Sequence, residues 1–199
     1  MKEYKIKTLK ALFVATILFL LNILVYATNR ISCSSDCLGF RNEVITISDV
    51  KNDECFDDVV PSEISDLREI LKPLELTNET PRLSQETKQY EIIAKVKSYF
   101  KYQNGCYKLI LYQPDDTISY VSAIIINPSC LQNNYGKYYD KIKETYINFN
   151  AYTKAQFKDK KVYYRISGAG FYSNERPINR YGLDNGFQLA PIFSFKKFW

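Results

Sequence analysis

The chain predicts a mainly β domain in which five strands close into a barrel, with one long helix between the third strand and the fourth. Three observations carry this. Apolar residues alternate with period two in successive stretches between Gln89 and Asn127, the period becomes helical between Lys137 and Lys160, and strand-like runs return at Val162–Phe171 and Phe187–Phe198. Aromatic residues make up 15% of the chain while Gly and Pro are few, which suits a β-rich globular domain and not a disordered one. With 199 residues the chain holds enough material for one domain with a real core plus accessory segments.

In the first strand Tyr90, Ile92, Ala94, Val96 and, by the same period, Ser98 alternate with Glu91, Ile93, Lys95 and Lys97. Gln103-Asn104-Gly105 then signals a turn, because Asn and Gly both tolerate the positive φ that tight hairpins demand. Cys106–Tyr112 reads as the second strand, with Tyr107, Leu109 and Leu111 on one face, and Pro114-Asp115-Asp116 turns the chain again. Ser119–Asn127, rich in β-branched residues, is the third. Between Lys137 and Lys160 there is no Gly or Pro, and Tyr138, Ile142, Tyr146, Phe149, Thr153 and Phe157 recur at helical spacing. Gly168 and Gly170, near the end of the fourth strand, predict a bulge or a tight corner. Three meandering strands, a helix and two strands make the arrangement of an OB-like Greek-key barrel; an SH3-like barrel has no helix at that place.

Three regions follow. Residues 1–27 form a targeting segment, with Lys2, Lys5, Lys7 and Lys10 ahead of an apolar run from Leu12 to Tyr26. The apolar core is short for a spanning helix, which needs roughly 20 residues, so a cleaved signal peptide and a retained membrane anchor both stay open. Either places the body of the protein outside the cytoplasm, exported to the cell envelope, the periplasm or the outer side of the membrane. Residues 28–86 hold 6 basic and 13 acidic residues, an acidic arm in which Pro61-Ser62-Glu63 starts a short helix with Ile64, Leu67, Ile70 and Leu71 on one face until Pro73. Residues 87–199 hold 17 basic and 8 acidic residues and form the basic barrel domain. This asymmetry points either to a polyanion-binding face or to an arm that packs across the barrel and cancels its charge.

The chain contains no His, which removes His-based zinc sites, Ser-His-Asp triads and Cys-His nucleophile pairs. No Gly-rich phosphate loop or serine elbow is present, so no catalytic residue, metal ligand or cofactor is assigned. Asp115 and Asp116 are adjacent in a turn and point apart, unlike the facing carboxylates of glycoside hydrolysis. Cys33, Cys37, Cys55, Cys106 and Cys130 suggest disulfides in an exported chain. If the second and third strands pair through the Pro114 turn, Cys106 lies opposite roughly residues 126–128 and Cys130 a few residues beyond, within bridging reach after a small bend; a disulfide there is expected, with two unpaired buried thiols as the alternative. Cys33 and Cys37 have Cys-x3-Cys spacing, not the Cys-x-x-Cys of redox centres.

The candidate ligand surface is a run of Tyr99, Phe100, Tyr102, Tyr107 and Tyr112 interleaved with Lys95, Lys97, Lys101 and Lys108. Basic side chains beside stacking rings are what single-stranded nucleic acid modules use, and OB-like barrels present them on strands two and three and on the adjoining loops. From this run Lys97, Tyr99, Lys101, Tyr107 and Lys108 are the residues selected, joined by Arg176 and Arg180 in the loop before the last strand. The plain alternative is a Tyr-rich core with Lys on its outer surface. The expected function is an exported, non-catalytic binding or envelope-associated module. Its partners would be a polyanion or an oligosaccharide, and the membrane if the first segment is retained. The competing expectation is a nuclease- or glycan-hydrolase-like enzyme drawing on Asp115, Asp116, Arg176, Arg180 and Asp184.

Asn127-Pro128-Ser129-Cys130, Ser167-Gly168-Ala169-Gly170-Phe171-Tyr172 and Asn185-Gly186-Phe187-Gln188-Leu189-Ala190-Pro191 resemble the motifs of a family of uncharacterised secreted bacterial proteins over roughly residues 88–198. Members carry Asp-x-His-Leu-Val, Pro-x-x-Cys, Thr-Gly-Val-Gly-Phe-Phe-Asp and Asn-Gly-Ile-Glu-Leu-His-Pro. Here Cys106 and Lys108 stand at the acidic and His positions of the first motif, and Gln188 and Ala190 at the Glu and His of the last. The resemblance implies the barrel fold and export, with any polar site at those positions lost from this chain.

Overall fold

The computed structural model describes residues 42–45, 55–113, 115–131, 136–152, 156–157, 161–174 and 182–198. The targeting segment 1–27, Cys33, Cys37, Pro114, Arg176 and Arg180 lie outside them. Within the unit formed by residues 33–199, the elements in chain order are α1 (Asn42–Ile45), β1 (Val59–Pro61), α2 (Ile64–Glu69), β2 (Gln89–Lys101), β3 (Tyr107–Gln113), β4 (Asp116–Ile125), α3 (Gly136–Ala151), β5 (Tyr164–Tyr172) and β6 (Phe187–Lys197).

β2 pairs antiparallel with β3 through its second half and with β5 through its first half. β3 pairs with β4, β4 meets β6 in parallel at Ala123 and Leu189, and β5 pairs antiparallel with β6. The ring β2-β3-β4-β6-β5-β2 is therefore a closed five-stranded barrel, with β1 added in parallel to the edge of β2. The protein is mainly β with one substantial helix, consistent with an OB-like barrel.

The barrel is filled and not hollow. Its core takes Ile92, Ala94 and Val96 from β2, Leu109 and Leu111 from β3, Val121 and Ala123 from β4, Ile166 from β5, and Leu189, Ile192 and Phe195 from β6. Two helices add to it. Ile64 and Leu67 of α2 are fully buried there, as is Phe149 of α3 at 2% exposure. The other face of α3 covers a second cluster on which Tyr138 and Ile142 pack with Ile124, Ala169, Phe171 and Phe193. Thr145 ties the helix to the sheet by donating to the Phe193 carbonyl at 2.8 Å.

The acidic arm is thus part of the core packing. α2 begins where Asp66 accepts from the Glu63 amide at 2.7 Å, and its Ile64 amide donates to the Gln113 side chain at 2.9 Å. Its far end is held by the Asn185 amide group, which donates to the carbonyls of Leu67, Arg68 and Ile70. Glu86, fully buried, accepts from the amides of Leu83 and Tyr172, each at 2.8 Å. The expected apolar face holds for Ile64 and Leu67 but not for Leu71, which is 87% exposed. The helix ends at Glu69, and Ile70 is already extended, so Leu71 leaves the helical face.

Two Asn–Gly turns have one construction. Asn104 accepts from the Cys106 amide and Asn185 from the Phe187 amide, while Gly105 and Gly186 take φ of +84° and +75°. The predicted irregularity at Gly168 and Gly170 is present as register shifts between β5 and β6. A Cβ at Gly170 would stand 2.5 Å from the Gln85 carbonyl oxygen, so the close approach of the arm requires glycine. α3 ends at Ala151, Tyr152 donates to the Phe149 carbonyl at 3.1 Å, Gln156 and Phe157 are again helical, and the Phe157 ring stacks on Phe149.

Candidate functional site

The aromatic–lysine run is sorted by one irregularity. The pairing of β2 with β3 shifts between Val96 and Ser98, so Lys97 is an extra residue in the ladder. Before the shift, Val96 faces the core. After it, Tyr99 does, and Phe100 faces out with 58% of its surface exposed. Uninterrupted alternation would place Ser98 inside and Tyr99 outside, which is the expectation that the bulge overturns.

Tyr107 is a core residue, and Tyr99 is partly buried against the same cluster. Tyr99 meets Tyr107, Phe149 and Phe157 edge-on, with ring centroids 5.4–6.2 Å apart. Tyr107 is 6% exposed, lies 4.9 Å from the Phe149 ring, and donates its hydroxyl to Asn150 at 2.5 Å. Lys101 is exposed, with its ammonium 5.1 Å from the Tyr107 ring centroid. A hydrogen bond with Tyr107 holds that ammonium above its usual range, against a smaller lowering by burial. Tyr146 donates to the Gly105 carbonyl at 3.2 Å, and burial pushes its hydroxyl up.

The outward positions form a different surface. Register aligns three rows across β2, β3 and β4: Phe100, Lys108 and Ile124; Ser98, Ile110 and Ser122; Lys95, Tyr112 and Tyr120. Lys97 is exposed beside the middle row and Tyr112 and Tyr120 lie 6.2 Å apart, while Ile110 and Ser122 are buried in the middle row and Ile124 is buried in the cluster under α3. Lys95 extends over the Tyr163 ring at 4.3 Å. β3 carries no carboxylate, and within 95–101 neither does β2. Lys97 and Lys108 are thus placed on one face, while Arg176 and Arg180 lie outside the described residues. The sequence reading missed Tyr120, because only the β3–β4 register shows that it stands opposite Tyr112.

A groove of about 460 Å³ opens where β1 ends and the β2–β3 pairing begins, lined by Pro61, Ser62, Glu63, Glu91, Ile93, Gln113, Asp115 and Tyr163. Arg165 stands 3.7 Å from Glu91. Three carboxylates, Glu63, Glu91 and Asp115, line this groove, but among the described residues no three His, Cys, Asp or Glu side chains are placed to hold a metal ion. Asp184 is exposed in the turn before Asn185, on a different segment from Asp115.

The Cys106–Cys130 bridge expected from the sequence is not formed. Asn127 donates its amide to the Cys106 sulfur at 3.3 Å, and Cys130 directs its thiol to the Asn104 carbonyl at 3.8 Å. Tyr107 is already paired with Ile125, and the 3₁₀ turn Pro128–Cys130, capped by Asn127, carries Cys130 past the end of the ladder. Among the described residues no helix is long and apolar enough to cross a membrane.

A scan against protein-family models, a search of curated proteins and a search of solved structures each find no match to this chain.

Proposed function

We propose that this protein is an exported, non-catalytic binding module on an OB-like barrel, and that it takes an anionic linear polymer on the outer face of β2, β3 and β4. The helix between the third and fourth strands of the ring supports the OB-like assignment, and the lysine-led apolar segment at residues 1–27 supports export. The observation that carries the binding reading is the sorting of the hairpin, by the Lys97 bulge on β2 and by plain alternation on β3. It leaves Lys97 and Lys108 on a face with Phe100, Tyr112 and Tyr120 and without a carboxylate on β3. Among the described residues the barrel interior is filled by side chains, and β3 and β4 are the second and third strands of the ring, where OB-like barrels bind.

The test is a titration of the full chain, in a neutral detergent, with single-stranded DNA and with an acidic glycan at low and moderate salt. Binding that weakens as salt rises is expected, since each lysine–anion contact releases a counterion. Absence of binding to either polymer at low salt sinks the reading, and cleavage of the polymer replaces it with the hydrolase alternative.

A further inference from the structure

The outer face has an internal spacing that narrows its ligand. Phe100 lies in the first row and the Tyr112–Tyr120 pair in the third. Four residues along a strand and one strand across separate them by roughly 14 Å. Between them Ile110 and Ser122 of the middle row are buried, at 4% and 7% exposure, and Ser98 is half-buried. Lys108 stands in the first row, Lys95 in the third, and Lys97 projects at the bulge between. Two ring platforms with cations on the same rows match a polymer that alternates planar groups with negative charges. An unpaired nucleic acid strand has that character: every base offers a π face, and every linkage carries a charge. An acidic glycan offers the charge without the planar group.

We propose that Phe100 and the Tyr112–Tyr120 pair are two base-stacking subsites for single-stranded nucleic acid, with Lys97 and Lys108 at the intervening phosphates. This rests on the outer-face reading above and adds the ligand class and the roles of the rings. The Lys97 bulge is the positioning device. Without it, period-two alternation would turn Phe100 inward and present Tyr99 in its place.

The experiment measures the affinity of the full chain in neutral detergent for a twelve-residue oligothymidylate, the same length of duplex and an acidic glycan. The variants are Phe100→Ala, Tyr112→Ala and Lys108→Gln. Stacking by each ring predicts about a tenfold or larger loss of oligothymidylate affinity for Phe100→Ala and for Tyr112→Ala. Glycan affinity should stay within twofold for both, and the duplex should bind more weakly than the single strand. Lys108→Gln should weaken both polymers and flatten the salt dependence. If Lys108→Gln weakens binding while both ring variants bind oligothymidylate like the parent, the subsites are overturned and the polyanion face stands. Tighter binding of the glycan than of the oligonucleotide overturns the nucleic-acid class. No binding of any polymer overturns both proposals.

Discussion

The two faces of the β2–β3 hairpin carry the same residue types and have opposite fates. On the inner face Tyr99 and Tyr107 are locked among Phe149, Phe157 and Tyr146, and Lys101 lies along Tyr107. On the outer face Phe100, Tyr112, Lys97 and Lys108 stand on the surface of the sheet. Composition does not separate the sets. On β3 plain alternation parts Tyr107 from Lys108 and Tyr112; on β2 one bulged residue parts Tyr99 from Phe100, because it shifts the parity of every β2 position after it. An aromatic–lysine run in a strand is therefore a binding signal only after the register is known.

The contrast is broken most severely from inside. Phe149→Ala removes a ring in contact with Tyr99, Tyr107, Phe157 and Phe195, and should cost about 3–5 kcal/mol in thermal or denaturant unfolding. Below its transition the variant should keep the polymer affinity of the parent. Tyr107→Phe keeps the ring but leaves Asn150 without the hydroxyl, a loss of about 1 kcal/mol with no change in binding. A large loss of affinity in either variant, measured well below its melting temperature, would return Tyr107 to the ligand surface.

Alkaline pH probes the interior in another way. Burial, reinforced by Tyr172, pushes the Tyr90 hydroxyl up to about 12. Its folded-state pKa lies above its unfolded value near 10, so the folded protein holds this proton more tightly. The associated stability is complete below about pH 10 and is lost as pH rises from there through about 12. Stability measured across this range should fall, and Tyr90→Phe should make the fall shallower. An unchanged profile in the variant would mean that Tyr90 is not among the groups that drive it. The smallest effect belongs to the outer face: Phe100→Ala should alter unfolding free energy by less than about 0.5 kcal/mol. A cost of several kcal/mol would show that Phe100 is a packing residue and remove it from the binding surface.

Much of the architecture was legible in the residues. Period two marked β2 and β3, Asn104-Gly105 marked the first hairpin, and Gly168 and Gly170 marked the corner in β5, because these signals are local. The bulge at Lys97 was not, since no residue in Val96-Lys97-Ser98 demands it and only the pairing with Leu111 and Ile110 reveals it. The fate of α2 was equally hidden. Ile64 and Leu67 announced an apolar face, but the surface that receives it is assembled from segments as distant as Gln113, Ser119 and Asn185. The placement of the candidate residues was legible only in part: Lys97 is exposed and Lys108 half-buried on the outer side, Tyr107 is buried and Tyr99 partly so, and Tyr120 emerges only from the register. The Cys106–Cys130 expectation failed because a hairpin register locates the end of a ladder and not the 3₁₀ turn beyond it.

The outer-face reading is tested most directly by the reactivity of individual lysines toward an amine-modifying reagent, with and without saturating oligothymidylate at low salt. The set is Lys97 and Lys108 on the β2–β4 face, with Lys196 and Lys197 at the end of β6 as the internal reference. Protection of Lys97 and Lys108, with Lys196 and Lys197 reacting as before, is the predicted result. Protection of Lys196 and Lys197 with Lys97 and Lys108 unchanged would place the ligand elsewhere and contradict the account.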